Sequence, residues 1–196
     1  MIAQNNTHTI AFVADIHLLD IYADYENFEG LPVPGQSQKA KIRTMQAQLH
    51  STRLFNENYF VLKAVLDDIA QRGIKLVAFP GDYTDDGQPL NIEGLAKILK
   101  NYEQQYGISF FITTGNHDPV APYNTSGGKP DFLGKNGKEQ AIFSNVLSLP
   151  LEERSDVLLE PKLEKAGYKF ILHSLSEFGF FPKTKIQLLG NTIFIV

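Results

Sequence analysis

The sequence contains no cysteine and no tryptophan, and only two of its 196 residues are methionine. The absence of cysteine excludes disulfides and metal sites built on thiolates, and it leaves the redox compartment undetermined. No apolar run approaches the roughly 18 residues of a membrane-spanning helix, and residues 1–6 lack the pattern of a signal peptide. We therefore expect a soluble protein without a membrane span. Its localisation stays unknown, because it can be cytoplasmic or exported with a signal removed.

The sequence also has fewer basic than acidic residues. Lysine and arginine number 18 against 22 acidic residues, and the formal net charge is -4. This balance disfavours nucleic acids and anionic membrane surfaces as partners. The chain is 43% hydrophobic, which is enough for a packed core, and its length fits one domain. We predict a single domain over residues 1–196.

Three apolar runs, each followed directly by polar residues, organise this domain. Each run predicts a buried strand, and the carboxyl ends of neighbouring strands meet at one edge of an open sheet. The three polar sequences are therefore expected to converge, although they are distant in the chain. The runs are 10–14, 74–79 and 108–113, and the polar sequences are Asp15-Ile16-His17, Gly81-Asp82 and Gly115-Asn116-His117-Asp118.

These side chains combine carboxylate, amide and imidazole ligands. Such a mixture suits Mn, Fe, Zn or Ni better than Ca or Mg, which prefer oxygen ligands alone. Asp15 and His17 leave an extended segment on the same side, so both can reach one ion. Asp82 has two carboxylate oxygens and can bridge two ions about 3.5–4 Å apart, as in two-metal hydrolases. Asn116 would then bind the second ion.

The order and spacing of the motifs resemble those of the calcineurin-like metallophosphoesterases. The motifs are Asp-x-His at 15–17, Gly-Asp-x-x-Asp at 81–85 and Gly-Asn-His-Asp at 115–118, and the resemblance covers residues 8–120. It implies an α/β fold with a mixed β-sheet sandwich flanked by helices. It also implies a metal-dependent phosphoesterase that hydrolyses a phosphate ester with a dinuclear centre of Mn, Fe or Zn. The substrate would be a phosphorylated small molecule or another phosphoester.

The resemblance also assigns roles to individual residues. It implies that Asp15 and His17 bind one ion, that Asp82 bridges both ions, and that Asn116 binds the other. Taken singly, each motif has an ordinary explanation, such as a turn with an Asx cap or the start of a helix. The conjunction of all three after strands favours the phosphoesterase site.

Three further residues complete the implied site. His117 is similar to the family's histidine that contacts the phosphate and helps to protonate the leaving group. Asp118 would orient the His117 ring. Asp85 is similar to a family residue that does not bind the metal itself but contacts the residues that do.

The sequence departs from the family pattern after His117. Family members complete the metal site with a later histidine and a Gly-His-x-His motif, and neither is present in recognisable form. His173 is the only later histidine, and its surroundings fit a helix as well as a strand. We therefore expect a truncated domain, the amino-terminal portion of a longer protein, that by itself binds one ion or none. The alternatives are a phosphodiesterase acting on nucleotides or phospholipid head groups, and a catalytically silent metal-binding fragment.

Other segments are predicted from their composition. Helical spacing predicts helices over 61–69 and 91–106, which Gly73 and Gly107 end. The long connection 18–58 is expected to overhang the metal site, or else to pack its own aromatic residues on the surface. Its cations Lys39, Lys41 and Arg43 are interpreted as a solvated face. Residues 119–137 are predicted as a loop, 138–149 and 161–177 as helices, and 186–196 as a hairpin around Gly190-Asn191.

Overall fold

The computed structural model describes residues 9–147 and 149–180, together with the backbone of 187–189 and 192–194. The strands are β1 Ile10–Phe12, β2 Leu31–Pro32, β3 Lys39–Ala40, β4 Leu76–Phe79, β5 Ser109–Ile112, β6 Gly128–Leu133, β7 Glu139–Phe143, β8 Leu158–Leu159, β9 Gln187–Leu189 and β10 Thr192–Phe194. The helices are α1 Met45–Leu49, α2 Asn58–Gln71, α3 Pro89–Tyr106 and α4 Tyr168–Ser174, with 3-10 turns at Leu151–Glu153 and Pro161–Leu163.

A three-stranded parallel sheet in the order β1-β4-β5 is built from the three predicted apolar runs. Helix α2 connects β1 to β4 by way of the long insertion, and α3 connects β4 to β5, as parallel crossovers require. Both predicted helices are confirmed. Gly107 adopts a left-handed conformation with a φ of 63° and ends α3, because glycine reaches that region without a steric penalty.

The two faces of this sheet differ in burial. Val77 and Phe79 of β4 point to the helical side and are fully buried against Leu66 of α2 and Leu99 of α3. Alternate residues point to the opposite side, where Phe12 of β1 is 73% exposed. The main core therefore lies between the sheet and helices α2 and α3.

A second sheet has the order β6-β7-β8, and its first two strands lie in segments that were predicted as a loop and a helix. The predicted helix at 138–149 is wrong, because residues Glu139–Phe143 form strand β7. The predicted loop at 119–137 contains strand β6, which pairs with β7 in antiparallel fashion. Phe132 of β6 and Ile142 of β7 are both fully buried, which favours the sheet over a helix. A turn at Asn136-Gly137 joins the two strands.

The carboxyl-terminal predictions are confirmed only in part. The helix expected over 161–177 is reduced to the 3-10 turn Pro161–Leu163 and α4, followed by a π-type turn at Ser176–Phe180. Strands β9 and β10 pair in antiparallel fashion, as the predicted hairpin requires. The turn residues Gly190 and Asn191 lie outside the described residues, as do residues 1–8.

The long insertion 18–58 is tied to the second sheet. The guanidinium of Arg43 donates two hydrogen bonds of 2.6 Å to the carboxylate of Asp131 in β6, and it lies 3.8 Å from the ring centre of Phe55. Lys41 is also buried. The interpretation of Lys39, Lys41 and Arg43 as a solvated face is therefore wrong for Lys41 and Arg43, which are structural.

The mixed α/β architecture, with parallel and antiparallel sheets flanked by helices, agrees with the predicted fold class. Among the described residues, none of the helices has the length and hydrophobicity that crossing a membrane would take.

The packing of α2 leads to a stability prediction. Leu66 is fully buried, whereas Val61 on the same helix is 52% exposed. Leu66→Ala should lower the free energy of unfolding by about 2–5 kcal/mol, because it removes buried methyl groups and leaves a cavity. Val61→Ala is the control and should change it by less than about 0.5 kcal/mol. Urea denaturation measures both, and equal effects would contradict the assigned helix face.

Candidate metal centre

The polar loops after β1 and β4 are joined by a continuation of the parallel pairing. The backbone N–H of His17 donates to the carbonyl of Asp82 at 3.0 Å, and that of Leu18 donates to Tyr83 at 3.1 Å. The Asn58 side chain at the start of α2 donates to the carbonyl of Ile16 at 2.7 Å. These bonds hold the first two loops side by side beyond the ends of their strands.

The loop after β5 reaches the loop after β4 through two glycines. A Cβ on Gly81 would lie 2.7 Å from the Gly115 Cα, and a Cβ on Gly115 would lie 2.3 Å from Oδ1 of Asp82. Both distances are shorter than real side chains allow. With this approach, the backbone N–H of His117 donates to the same Oδ1 at 2.8 Å. One oxygen of Asp82 is thereby fixed.

Three of the predicted ligands meet at this junction. One ligand atom each from Asp15, His17 and Asp82 lies within 4.8 Å of the others, a separation that a single ion can span. Asn116 is exposed in the loop after β5, next to His117 in the chain. The use of these four residues as metal ligands stays a prediction, and their arrangement is compatible with it.

The backbone at the three clustered residues is strained. Asp15, His17 and Asp82 have φ values of 54°, 45° and 52°, in the left-handed region that side chains with a Cβ rarely occupy. Asp86 shares this conformation with a φ of 70°. Such strain persists only where the surroundings enforce it, and it concentrates at functional sites. Here the hydrogen bonds between the loops hold the backbone in this conformation.

The environment of His17 suits a metal ligand. Burial lowers the pKa of the imidazole, and the positive charge of Arg53 and the neighbouring His117 lower it further, against the opposing carboxylates of Asp82 and Asp85. A lowered pKa favours the neutral form, which is the form that binds a metal. The Nδ1 atom of His17 is buried and has no hydrogen-bond partner. The orphaned nitrogen and the two nearby carboxylates together fit a divalent transition-metal ion.

His117 lies beside this group, with its ring centre 4.9 Å from that of His17. Arg53 donates from Nη2 to Nε2 of His117 at 2.8 Å. A guanidinium can only donate, so Nε2 accepts and the ring proton resides on Nδ1. Nδ1 in turn donates to Oδ1 of Asp86 at 2.7 Å.

The orienting carboxylate is thus Asp86, and the expected role of Asp118 is corrected by this geometry. Asp118 is fully buried, and its Oδ2 accepts from the backbone N–H of Tyr83 at 2.7 Å. It also accepts from the hydroxyl of Thr84. Burial raises the pKa of Asp118 to about 7, against the lowering effect of these bonds. Asp118 therefore joins the loops after β4 and β5 and does not hold the His117 ring.

Asp85 and Asp86 are surrounded by cations. Asp85 is fully buried between Nη1 of Arg53 at 2.8 Å and Nζ of Lys129 at 3.0 Å. Oδ2 of Asp86 lies 3.2 Å from both Lys129 and Lys165. Burial acts to raise the pKa of Asp86, but Lys129, the bond from His117 and Lys165 outweigh it and hold the pKa well below its usual range.

A comparison with known families adds to this geometry. The model of the calcineurin-like phosphoesterase family matches residues 8–187. The chain belongs to this family. The match extends beyond residue 120, where the sequence resemblance was expected to end. Members of the calcineurin-like phosphoesterase family are metal-dependent phosphoester hydrolases, and the Asp15, His17 and Asp82 group is a possible metal site of that kind. A search of curated proteins finds no match.

Several residues of the site were not found by sequence reasoning. Asp86 directly follows the Gly-Asp-x-x-Asp motif, but the motif itself ends at Asp85. Arg53, Lys129 and Lys165 come from segments without a recognisable spacing, so no pattern singled them out. The prediction that the 18–58 insertion reaches the site is confirmed by the contacts of Arg53. His173 lies exposed on α4 and does not belong to the clustered ligands.

The close approach of the two loops can be tested at Gly115. Gly115→Ala places a methyl group against the Asp82 carboxylate and should weaken Mn²⁺ binding by at least about tenfold, measured by titration calorimetry. Gly137→Ala is the control, because a Cβ there meets nothing within 4 Å. Its positive φ costs some stability, but Mn²⁺ affinity should be retained. Unchanged affinity in Gly115→Ala would mean that Asp82 is not a ligand.

Proposed function

We propose that this protein is a phosphoesterase that uses a dinuclear centre of divalent transition-metal ions. The observation that carries the proposal is the convergence of Asp15, His17 and Asp82 to within 4.8 Å, next to His117, in a member of the calcineurin-like phosphoesterases. Asp15 and His17 would bind one ion, Asp82 would bridge, and Asn116 would bind the other. Mn, Fe and Zn all suit this mixed ligand set.

When bound, the ions would lower the pKa of water and offset the negative charge of the phosphoryl oxygens. The chain's own residues prepare this chemistry. The His117 N–H bonds to Oδ1 of Asp82 and so fixes the orientation of the carboxylate. The inter-loop backbone bonds keep the ligands in place before an ion arrives, which reduces the cost of assembling the site.

A water molecule would attack phosphorus in line, the bond from phosphorus to the alcohol oxygen would break, and His117 would protonate that departing oxygen. In the present arrangement Arg53 donates to Nε2, the atom that must face the leaving group. Substrate entry would displace the guanidinium from Nε2, while Nη1 of Arg53 keeps its contact with Asp85. His117 would take up a proton at Nε2 from solvent, with Asp86 stabilising the imidazolium through Nδ1, and would return to the neutral ring when that proton passes to the leaving oxygen.

The bridging role of Asp82 gives the first test. Asp82→Asn keeps the shape of the side chain and one oxygen for the His117 N–H, but it removes a charge that the ions need. Turnover of p-nitrophenyl phosphate with added Mn²⁺ should fall at least about a thousandfold. The folded state should persist, as judged by circular dichroism and urea denaturation. Substantial residual turnover in a folded variant would contradict the bridging assignment.

A second test separates the kinds of phosphoester. We propose phosphomonoester hydrolysis first and hydrolysis of diesters, such as nucleotides or phospholipid head groups, as the alternative. Wild-type protein should hydrolyse p-nitrophenyl phosphate faster than bis(p-nitrophenyl) phosphate, and the reverse ratio would favour the diesterase. Binding of Mn²⁺ without turnover of either ester would instead favour a catalytically silent metal-binding fragment.

A further inference from the structure

A group of three cationic side chains lies beside the proposed metal ligands. Arg53 comes from the 18–58 insertion, Lys129 from β6, and Lys165 from the segment before α4. They surround Asp85 and Asp86, and none of them is a predicted ligand or a predicted catalytic residue. We call these three residues the cation cluster.

The cation cluster carries more charge than its two partners neutralise. Three positive side chains face two carboxylates, and Asp86 accepts contacts from two of them on one oxygen. All three keep solvent-accessible surface, because the side chains of Arg53, Lys129 and Lys165 are 23%, 16% and 28% exposed. An ammonium has three donors, so Lys129 and Lys165 can take a further anion without leaving their carboxylates.

The backbone at Lys165, one member of the cation cluster, is fixed by hydrogen bonds. The N–H and C=O of Lys165 pair with those of Thr125 in two hydrogen bonds of 2.9 Å, and the N–H of Ala166 donates to Gly87 at 3.2 Å. Gly87 has a φ of 66°, and a Cβ there would lie 3.2 Å from the carbonyl of His117. The backbone next to Lys165 is therefore bonded to Gly87, which itself packs against the His117 carbonyl, and this places the Lys165 side chain within reach of Asp86.

The arrangement of side chains around the His117 ring indicates which end of the substrate would lie next to the cation cluster. His17 contacts one edge of His117, whereas Arg53 and Asp86 bond to the ring nitrogens of His117. If the phosphoryl group lies on the ions and His117 faces the leaving oxygen, the cation cluster lies near the leaving group. This step depends on the proposed function, which assigns those two positions.

We propose that Arg53, Lys129 and Lys165 bind a second anionic group on the leaving-group side of the substrate. The preferred substrates are then phosphoesters whose alcohol portion carries its own carboxylate or phosphate. Charge-assisted hydrogen bonds from several cations in a partly desolvated site favour such a leaving group over a neutral one of the same size.

The test compares two substrates that differ in this one group. 3-Phosphoglycerate carries a carboxylate where glycerol 3-phosphate carries a hydroxymethyl group. Wild-type protein loaded with Mn²⁺ should show a kcat/KM at least about tenfold higher for the ester that bears the carboxylate. Lys165→Met should remove most of this preference by weakening the binding of that ester, which raises its Michaelis constant. The same variant should lower kcat/KM for glycerol 3-phosphate by a much smaller factor, so that the ratio of the two kcat/KM values falls toward one.

Lys162→Met is the matched control. It removes one positive charge three positions away in the chain, where Lys162 pairs with Glu93 at 2.9 Å on the outer surface of α3. It should keep the substrate preference. Lys129→Met serves as a second variant if Lys165→Met is poorly folded, because Lys129 contacts the same oxygen of Asp86. Equal turnover of the two substrates by the wild type, or an equal loss for both in Lys165→Met, would overturn the proposal.

A binding measurement separates this proposal from the proposed function. Titration calorimetry of both ligands with the metal-free protein needs no turnover. Tighter binding of 3-phosphoglycerate by the wild type, lost in Lys165→Met, would support the anion site even if no ester is hydrolysed. Hydrolysis of both esters without any difference in binding or kcat/KM would leave the phosphoesterase intact and reject the anion site.

Discussion

The contact between the backbones of Gly81 and Gly115 is the constraint on which the rest of the site depends. The parallel sheet brings three loops to one edge, but strand spacing alone leaves them about 4.8 Å apart. The two glycines let the loops after β4 and β5 approach more closely, so that the His117 N–H reaches the Asp82 carboxylate. The position of Asp82 then determines where Asp15 and His17 must lie, because their loop is bonded to the backbone of Asp82 and Tyr83.

The free-energy cost of the strained backbone at this edge is offset by the stability of the core beneath it. Asp15, His17 and Asp82 occupy unfavourable backbone conformations, each of which costs on the order of 1–3 kcal/mol. The core under the loops, between the central sheet and helices α2 and α3, is tightly buried. The buried Nδ1 of His17 has no hydrogen-bond partner among the described residues. An ion bound to that nitrogen would satisfy it, so metal binding and folding stability should be linked in this protein.

The central sheet, its two crossover helices and the clustered ligands were predictable from sequence because they depend on local patterns. An apolar run followed by Gly-Asp or Asp-x-His predicts both a buried strand and the candidate metal ligands at its end. The β6–β7 hairpin was missed because the burial of Phe132 and Ile142 depends on packing with residues distant in the chain, such as Phe28, which no local pattern reveals. The orienting carboxylate was misassigned for a related reason. Asp86 reaches His117 only because of a left-handed turn that the sequence does not reveal, whereas Asp118 is its neighbour in the chain.

Arg53 comes from an insertion that is otherwise anchored to the second sheet by Arg43 and Asp131. The proposed metal ligands lie at the edge of the parallel sheet, whereas the residues proposed to face the substrate's alcohol portion come from the insertion, β6 and the segment before α4. Under that proposal, substitutions in the 18–58 segment can alter which alcohols are accepted, provided that Arg53 and the backbone pairing of Leu18 with Tyr83 are kept, because both contact the catalytic edge of the sheet. Substrate preference could then diverge through a peripheral segment, and protein engineers could randomise that segment around these fixed contacts.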